Sequence, residues 1–168
     1  MIVCISNVLD IAELGKVRAH VNRSAFSEGS RTAGWHARSV KDNEQADPLD
    51  LDARAAADLV AAALLRNEVF RASALPLRLR PPLLARYGSG RSYGAHTDDA
   101  LMGMGNPADL RGPAPVRSDV AVTVFLSATT DYEGGSQYWR PWWAIRSSGS
   151  TPATRWPTRP ARSIASGR

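Results

Sequence analysis

Residues 86–101 read RYGSGRSYGAHTDDAL, and the architecture and chemistry that we predict for the chain follow from this segment. Its central element is His96-Thr97-Asp98. Residues two apart in an extended strand project from the same face of a sheet, so the imidazole and the carboxylate would lie side by side. Such a pair supplies two of the three ligands of a 2-His-1-carboxylate site, which holds ferrous iron and leaves positions open for oxygen and a co-substrate. We therefore interpret His96 and Asp98 as candidate metal ligands and catalytic residues.

The neighbours of this triplet decide how much weight it carries, because an isolated His-x-Asp also fits a surface pair or a hydrogen-bonded core histidine. Here Gly88, Gly90 and Gly94 permit tight backbone turns beside a cofactor. Tyr87 and Tyr93 carry hydroxyl groups that donate hydrogen bonds. This context favours a cofactor site.

Composition places the chain among single-domain globular proteins. Its 168 residues are 43% hydrophobic and 22% charged, which is enough for one sizeable core. The single cysteine, Cys4, cannot form an internal disulfide, so we expect a reducing compartment. No signal peptide is apparent, and no run approaches the roughly 20 apolar residues that cross a bilayer. We expect a soluble, cytoplasmic protein with no membrane partner, in which His20 and His36 are structural.

Periodicity predicts helices in the first half of the chain. Residues 1–6 read as a short apolar strand. Asp10 followed by Glu13 resembles a capping box that opens a helix, and the buried side of this helix would carry Ile11, Leu14, Val17 and Val21. A second helix runs from roughly Leu51 to Phe70 with an Ala-rich buried face, and Pro76 ends that region.

Short strands are predicted in the second half. Residues 77–80 alternate Leu and Arg like a strand, and residues 103–117 form a loop rich in Gly and Pro. Residues 120–126 read as a well-buried strand, and residues 131–135 as a turn. Helices followed by short strands favour an α+β chain whose sheets form a jelly-roll barrel, the double-stranded β-helix.

Several short motifs follow one another along residues 1–135. They are MIVCI (1–5), TAG (32–34), VKDNEQ (40–45), ALPL (74–77), RY (86–87), YGAHTD (93–98), FLS (125–127) and DYEGG (131–135). In this order they resemble the PKHD-type hydroxylases, which are iron(II)- and 2-oxoglutarate-dependent dioxygenases related to prolyl and lysyl hydroxylases. The resemblance implies coupled decarboxylation of 2-oxoglutarate and hydroxylation of a small-molecule or peptide substrate, with L-ascorbate keeping the iron reduced.

The resemblance also assigns roles to individual residues. His96 and Asp98 would be the first two iron ligands, and Tyr87 would hydrogen-bond the 2-oxoglutarate. Asn43 and Gln45 resemble a polar pair at the mouth of the family's site, although two polar residues that cap a loop would look the same.

The chain departs from the family after residue 135. The family pattern requires a second histidine downstream, followed by a basic residue for the distal carboxylate of 2-oxoglutarate, yet no histidine follows His96. Residues 136–168 instead contain six Arg and no Asp, Glu or Lys, together with four of the five Trp. The net charge of +5 therefore leaves −1 for residues 1–135. We predict a partial dioxygenase domain over residues 1–135 and an aberrant, disordered, basic tail over residues 136–168.

We hypothesise that a reading-frame shift near Gly135 produced this change. When each codon of the tail is read from its third base, allowed codons for residues 151–164 permit AGDAVAYPASSLH, and the next codons permit RVR. This hidden peptide resembles the missing half of the family, and its histidine straddles the codons of Ser163 and Ile164. The polypeptide as it stands would then lack the distal ligand and be inactive.

Two other functions remain open at this point. The Arg- and Trp-rich tail could grip phosphate and stack on bases, as in a nucleic-acid-binding protein. However, its arginines are scattered and no known module is visible, so we expect no nucleic-acid partner. Alternatively, residues 1–135 could serve as an interaction domain without catalysis.

Overall fold

A computed structural model shows a layer of helices beside short antiparallel sheets. It describes residues 2–32, 35–102, 116–128, 130–133, 138–139, 154–155 and 162–167. The helices are α1 (Ile11–Arg23), α2 (Trp35–Arg38), α3 (Leu51–Arg66) and α4 (Glu68–Ala74), with a 3-10 turn at Gly29–Thr32. The strands are β1 (Ile2–Ser6), β2 (Phe26–Glu28), β3 (Glu44–Ala46), β4 (Ala85–Arg86), β5 (Leu101–Met102), β6 (Val116–Arg117), β7 (Val120–Val124), β8 (Tyr138–Trp139), β9 (Thr154–Arg155) and β10 (Arg162–Gly167).

Helix α1 begins at the predicted capping box. The Asp10 carboxylate accepts from the Glu13 N–H at 2.7 Å, and the Glu13 carboxylate accepts from the Asp10 N–H at 3.0 Å. Val17 is fully buried, and Leu14 and Val21 pack partly buried against the core. Ile11 is 93% exposed, so its predicted place on the buried side is wrong. As the first residue of the helix it lies at the solvent end of the apolar stripe.

The predicted second helix is two helices that meet at Asn67. The Asn67 N–H bonds the carbonyls of Ala63 and Leu64 and so closes α3, while its side chain accepts from the Phe70 N–H at 2.9 Å and opens α4. An asparagine at such a position satisfies the free backbone groups of both helix ends. Leu75 then ends α4 with left-handed backbone angles, just before Pro76.

Helices α1 and α3 run antiparallel and are tied together at both ends. At the first end Arg66 bonds Glu13 at 2.9 Å. At the other end Asp52 accepts from Arg23 at 2.7 Å and contacts His20 at 2.6 Å. Between these ties lies the core, whose buried members include Ile5, Val8, Leu9, Val17, Ala56, Val60, Ala63, Leu64 and Phe70. The structural role predicted for His20 is confirmed, whereas the side chain of His36 lies outside the described residues.

The described strands pair antiparallel in small sheets. One sheet has the order β1-β10-β7 and another the order β2-β3-β4, while β5-β6 and β8-β9 form two-stranded pairs. The chain is thus a mixture of helices and antiparallel sheet, as predicted. Within the described ranges these strands do not close into a barrel. None of the helices described is both long enough and apolar enough to span a bilayer.

Two strand predictions need correction. Residues 77–80 form no strand, and Leu77 is 94% exposed, because alternation creates a strand only where a neighbouring strand is available. The predicted strand at 120–126 is confirmed as β7, but its residues are half-buried. Most of the predicted loop at 103–117 lies outside the described residues.

The tail contains backbone pairing that its sequence pattern does not indicate. The segment Arg162–Gly167 lies between β1 and β7, with Cys4 opposite Ile164 and Ile164 opposite Thr123. Sheet hydrogen bonds use main-chain groups, which every residue except proline supplies in full, so pairing does not require an alternating sequence. The division of the chain at residue 135 stays a prediction.

Candidate functional site

The candidate ligands His96 and Asp98 lie in a loop between Tyr93 and β5. The predicted extended strand is wrong, because residues 94–100 have no regular secondary structure. The loop nevertheless brings the two side chains together, with His96 Nε2 3.6 Å from Asp98 Oδ1. The two-residue spacing therefore predicts that the His96 and Asp98 side chains lie close together, but it does not predict the backbone conformation between them.

Backbone hydrogen bonds fix the start of this loop against the segment that precedes β3. Tyr93 forms an antiparallel bridge with Lys41. On its two sides, Asp42 donates its N–H to the Ser92 carbonyl at 2.9 Å and Gly94 donates to the Val40 carbonyl at 2.7 Å.

This close approach explains Gly94. A Cβ atom at this position would lie 2.9 Å from the Val40 Cβ, which is inside van der Waals contact. Gly90 is the other glycine with a clear reason, since its φ of 76° lies in the left-handed region. The prediction that glycines shape this loop is confirmed at these two positions.

The tautomer of the His96 imidazole follows from one hydrogen bond. Its Nδ1 lies 2.8 Å from the Gly94 carbonyl oxygen, and a carbonyl can only accept, so Nδ1 carries the proton. In the neutral ring this leaves the lone pair on Nε2, on the atom nearest Asp98. Metal-binding histidines are commonly held in this way, by a backbone carbonyl that accepts a hydrogen bond from the other ring nitrogen.

The donor pair has a separation that a single cation can bridge. Bonds of roughly 2.0–2.2 Å to nitrogen and oxygen place two ligands of one metal about 3 to 3.6 Å apart, depending on the angle at the metal. The 3.6 Å between His96 Nε2 and Asp98 Oδ1 lies at the wide end of that range. The residues present therefore fit two positions of a metal site.

The third position is not filled by anything in the described part of the chain. No group of three His, Cys, Asp or Glu side chains there could hold a metal ion. The chain has only three histidines, and none of them follows His96. His96 and Asp98 are also open to water, with side chains 26% and 47% exposed. Within the described residues, His96 and Asp98 are thus a pair of candidate ligands without a third.

An aromatic ring covers the imidazole. The rings of Tyr93 and His96 stack with centroids 3.6 Å apart and planes 11° apart. The Lys41 ammonium lies 5.5 Å from the centroid of the Tyr93 ring. The sequence pattern predicts Tyr93 only as a hydroxyl donor and predicts no role for Lys41. Only the cross-strand pairing of residues about fifty positions apart reveals this cluster.

The electrostatics of the cluster reflect burial and nearby carboxylates. Burial raises the pKa of the Tyr93 phenol, and the negative charges of Asp98 and Asp99 and the phenol of Tyr87 raise it further. Burial lowers the pKa of Lys41. Tyr87, the predicted 2-oxoglutarate contact, is 50% exposed and therefore accessible to a ligand.

Asn43 and Gln45 are buried side chains. Asn43 is 1% exposed and Gln45 8%, and Gln45 lies within β3, opposite Ser27 and Ala85. The Asn43 carbonyl accepts from the Gly29 N–H at 2.8 Å, while its side-chain Oδ1 has no hydrogen-bond partner in the described region. Their burial favours the loop-supporting interpretation over a pair at the mouth of a site.

Known proteins align with most of this chain, although no family model matches it. A PKHD-type hydroxylase of Synechococcus sp. strain JA-2-3B'a(2-13) is 42% identical over 135 residues, which are 80% of this chain and 57% of that protein. A PKHD-type hydroxylase of Thioalkalivibrio sulfidiphilus is 43% identical over the same shares. One of Synechococcus elongatus is 39% identical over 136 residues, 81% of this chain and 58% of that protein.

These identities extend over most of the chain but over only part of each relative. The chain spans a little more than half the length of the curated relatives that it matches. The resemblance predicted from the motifs is thereby confirmed. Over four fifths of its length, this chain is a homologue of the PKHD-type hydroxylases.

Proposed function

We propose that the chain carries half of the active site of an iron(II)- and 2-oxoglutarate-dependent hydroxylase with a jelly-roll fold. The observation that carries this proposal is the pairing of His96 Nε2 with Asp98 Oδ1 at 3.6 Å, with Nδ1 engaged by the Gly94 carbonyl at 2.8 Å. His96 and Asp98 would hold the ferrous ion. When bound, iron and 2-oxoglutarate would supply the activation of O2, with one oxygen atom going to the substrate and the other to succinate as 2-oxoglutarate loses CO2, while ascorbate would keep the iron reduced.

Each residue of this half-site has a separate task. Gly94 holds the imidazole in the tautomer that leaves Nε2 free for the metal. Asp98 contributes the anionic oxygen that a divalent cation favours. Tyr87, which is 50% exposed, would donate a hydrogen bond from its hydroxyl to a carboxylate of 2-oxoglutarate.

We further propose that this 168-residue polypeptide does not catalyse the hydroxylation. A 2-His-1-carboxylate site needs three protein ligands on one side of the metal, and residues 136–168 supply no histidine. Two partly exposed ligands bind iron weakly and cannot exclude water from the reacting atoms. The hypothesis of a frame shift near Gly135 would account for the loss, because allowed codons in the shifted frame permit both a histidine and arginines.

The coding DNA across residues 135–168 is the first test. The shifted frame must continue without a stop codon and must contain a histidine codon across Ser163 and Ile164. A stop codon there, or any other residue at that place, overturns the frame-shift hypothesis.

Turnover is the second test. The 168-residue polypeptide and its frame-restored counterpart are each incubated with iron(II), 2-oxoglutarate and ascorbate, and succinate release is measured. We expect succinate only from the restored polypeptide, and its loss on His96→Ala. Stoichiometric iron binding with succinate release by the 168-residue polypeptide would refute the claim of inactivity.

The same preparations separate the two other functions. DNA binding that weakens steeply with salt would favour a nucleic-acid-binding tail. If His96→Ala changes neither metal binding nor activity in the restored polypeptide, an interaction domain without catalysis becomes the better description.

A further inference from the structure

We propose that Tyr93 is a positioning residue for His96, and that its ring sets the plane of the imidazole so that Nε2 faces Asp98. This inference rests on the proposed metal-binding role of His96. It assigns to Tyr93 a function that is distinct from binding the metal.

Two restraints act on the imidazole, and they are complementary. Stacking on Tyr93, with centroids 3.6 Å and planes 11° apart, fixes the tilt and height of the ring. It leaves the ring free to rotate about the axis perpendicular to its plane. The hydrogen bond from Nδ1 to the Gly94 carbonyl at 2.8 Å removes that rotation. Together the two contacts define where Nε2 lies, and neither contact does so alone.

Tyr93 can act as a platform because its own position is fixed. Its backbone is bridged to Lys41, and hydrogen bonds of 2.9 Å and 2.7 Å secure Ser92 and Gly94 on either side of it. The Lys41 ammonium lies 5.5 Å from the ring centroid, where it is attracted by the π electrons. The Tyr93 ring is therefore held by residues 40–42, which precede β3. It in turn supports the imidazole of His96 in the exposed loop.

His96 needs such a platform because the loop around it offers little else. Residues 95–100 are exposed and lack regular structure, so an unsupported imidazole would sample several rotamers. Metal binding would then have to select one of them. Residues that orient a ligand from behind are commonly worth about 10- to 100-fold in metal affinity, and we expect the lower end because this site is partly exposed.

The test follows the imidazole signals of His96 by NMR in the 168-residue chain, with zinc alone as the metal probe. In the metal-free native chain we expect upfield-shifted ring protons, caused by the Tyr93 ring current, and nitrogen shifts typical of a protonated Nδ1. Tyr93→Leu should abolish the upfield shift and weaken zinc binding at His96 about tenfold. Tyr93→Phe keeps the ring and should preserve both properties.

The controls separate this inference from the function on which it rests. His20, held by Asp52 on the helix pair, reports whether each variant is folded. If His96→Ala binds zinc as well as the native chain, the metal-binding role fails, but the upfield shift still tests the stack. If Tyr93→Leu retains native zinc affinity, or if the native chain shows no upfield shift, the positioning role is overturned. If Tyr93→Leu fails to fold, the upfield shift of the His96 ring protons in the native chain remains the test of the stack.

Discussion

The helix pair α1/α3 and the loop that carries His96 differ in the contacts that hold each of them in place. The helix pair is capped at its start, tied by ion pairs at both ends and filled by a core that includes Val17 and Phe70. The loop depends on one backbone bridge, one glycine and one stacked ring. Stability is therefore concentrated in the helices, while the residues predicted to do chemistry lie in the weakly supported region.

This difference implies that changes in the loop that carries His96 need not disturb the fold. Buried apolar contacts provide most of the folding free energy, and they lie in segments that the site does not use. Partly exposed polar residues in a loop contribute little to it. The four substitutions below test how separate the two regions are.

The largest effect is expected in the helix layer. Phe70→Ala removes a side chain that is 1% exposed and should cost about 3–5 kcal/mol of unfolding free energy. Val69→Ala is the matched control, because this neighbour is 52% exposed and should change stability by no more than about 0.5 kcal/mol. Urea unfolding measures both. Equal midpoints would show that the core is not where the helices place it.

A smaller loss is expected where the loop begins. Gly94→Ala brings a Cβ atom to 2.9 Å from Val40 and should cost about 1–3 kcal/mol through local overpacking. Gly15→Ala is the same substitution inside α1, where nothing lies within 4 Å of the added atom. It should stabilise the protein by about 0.5–1 kcal/mol. The two variants should thus shift the melting temperature in opposite directions, and a shift in the same direction would contradict the packing described at Val40.

A still smaller, pH-dependent effect is expected at the tie between α1 and α3. Hydrogen bonds from Arg23 and then His20 lower the pKa of Asp52 below its ordinary value of 3.8. A carboxyl group with a lowered folded pKa stabilises the protein above its unfolded pKa, and this contribution is lost as the pH falls through the folded value.

Asp52→Asn should therefore reduce stability near neutral pH and approach the native chain in acid. Asp58→Asn makes the same substitution at an exposed position on the same helix and serves as the matched control. Melting temperatures measured from about pH 7 down to about pH 3 cover the relevant range. A difference between Asp52→Asn and the native chain that grows in acid would contradict the assigned pKa direction.

The smallest effect on folding is expected at the candidate ligand itself. His96→Ala should change unfolding free energy by no more than about 0.5 kcal/mol, although it removes a candidate metal ligand. His20→Ala, which breaks the contact with Asp52, should destabilise the chain more. If His96→Ala is the more damaging of the two, the loop supports the fold and the separation of the two regions is wrong.

Local chemistry could be predicted from the sequence, whereas distant pairing could not. The start of α1 follows from Asp10 and Glu13, which interact three residues apart. The break at Asn67 escapes periodicity, because apolar residues continue on both sides of it. The false strand at residues 77–80 shows that alternation says nothing about whether a partner strand exists.

The candidate site divides in the same way. His96 and Asp98 were found because metal ligands two residues apart form a local pattern. The Tyr93 ring stacks on His96 close by in the sequence. The position of that ring, however, depends on Lys41, about fifty residues earlier. No spacing rule connects those positions, since only sheet pairing brings them together.

Glu13 illustrates how one side chain makes folding of the helix layer cooperative. The same carboxylate closes the first turn of α1 on Asp10 and receives Arg66 from the end of α3. Nucleation of one helix and docking of the other therefore share an atom, and each event lowers the entropy cost of the other. An isolated peptide that spans α1 would keep the bond between Glu13 and Asp10 but lose the one from Arg66. Its helicity should therefore be lower than that of α1 in the intact chain.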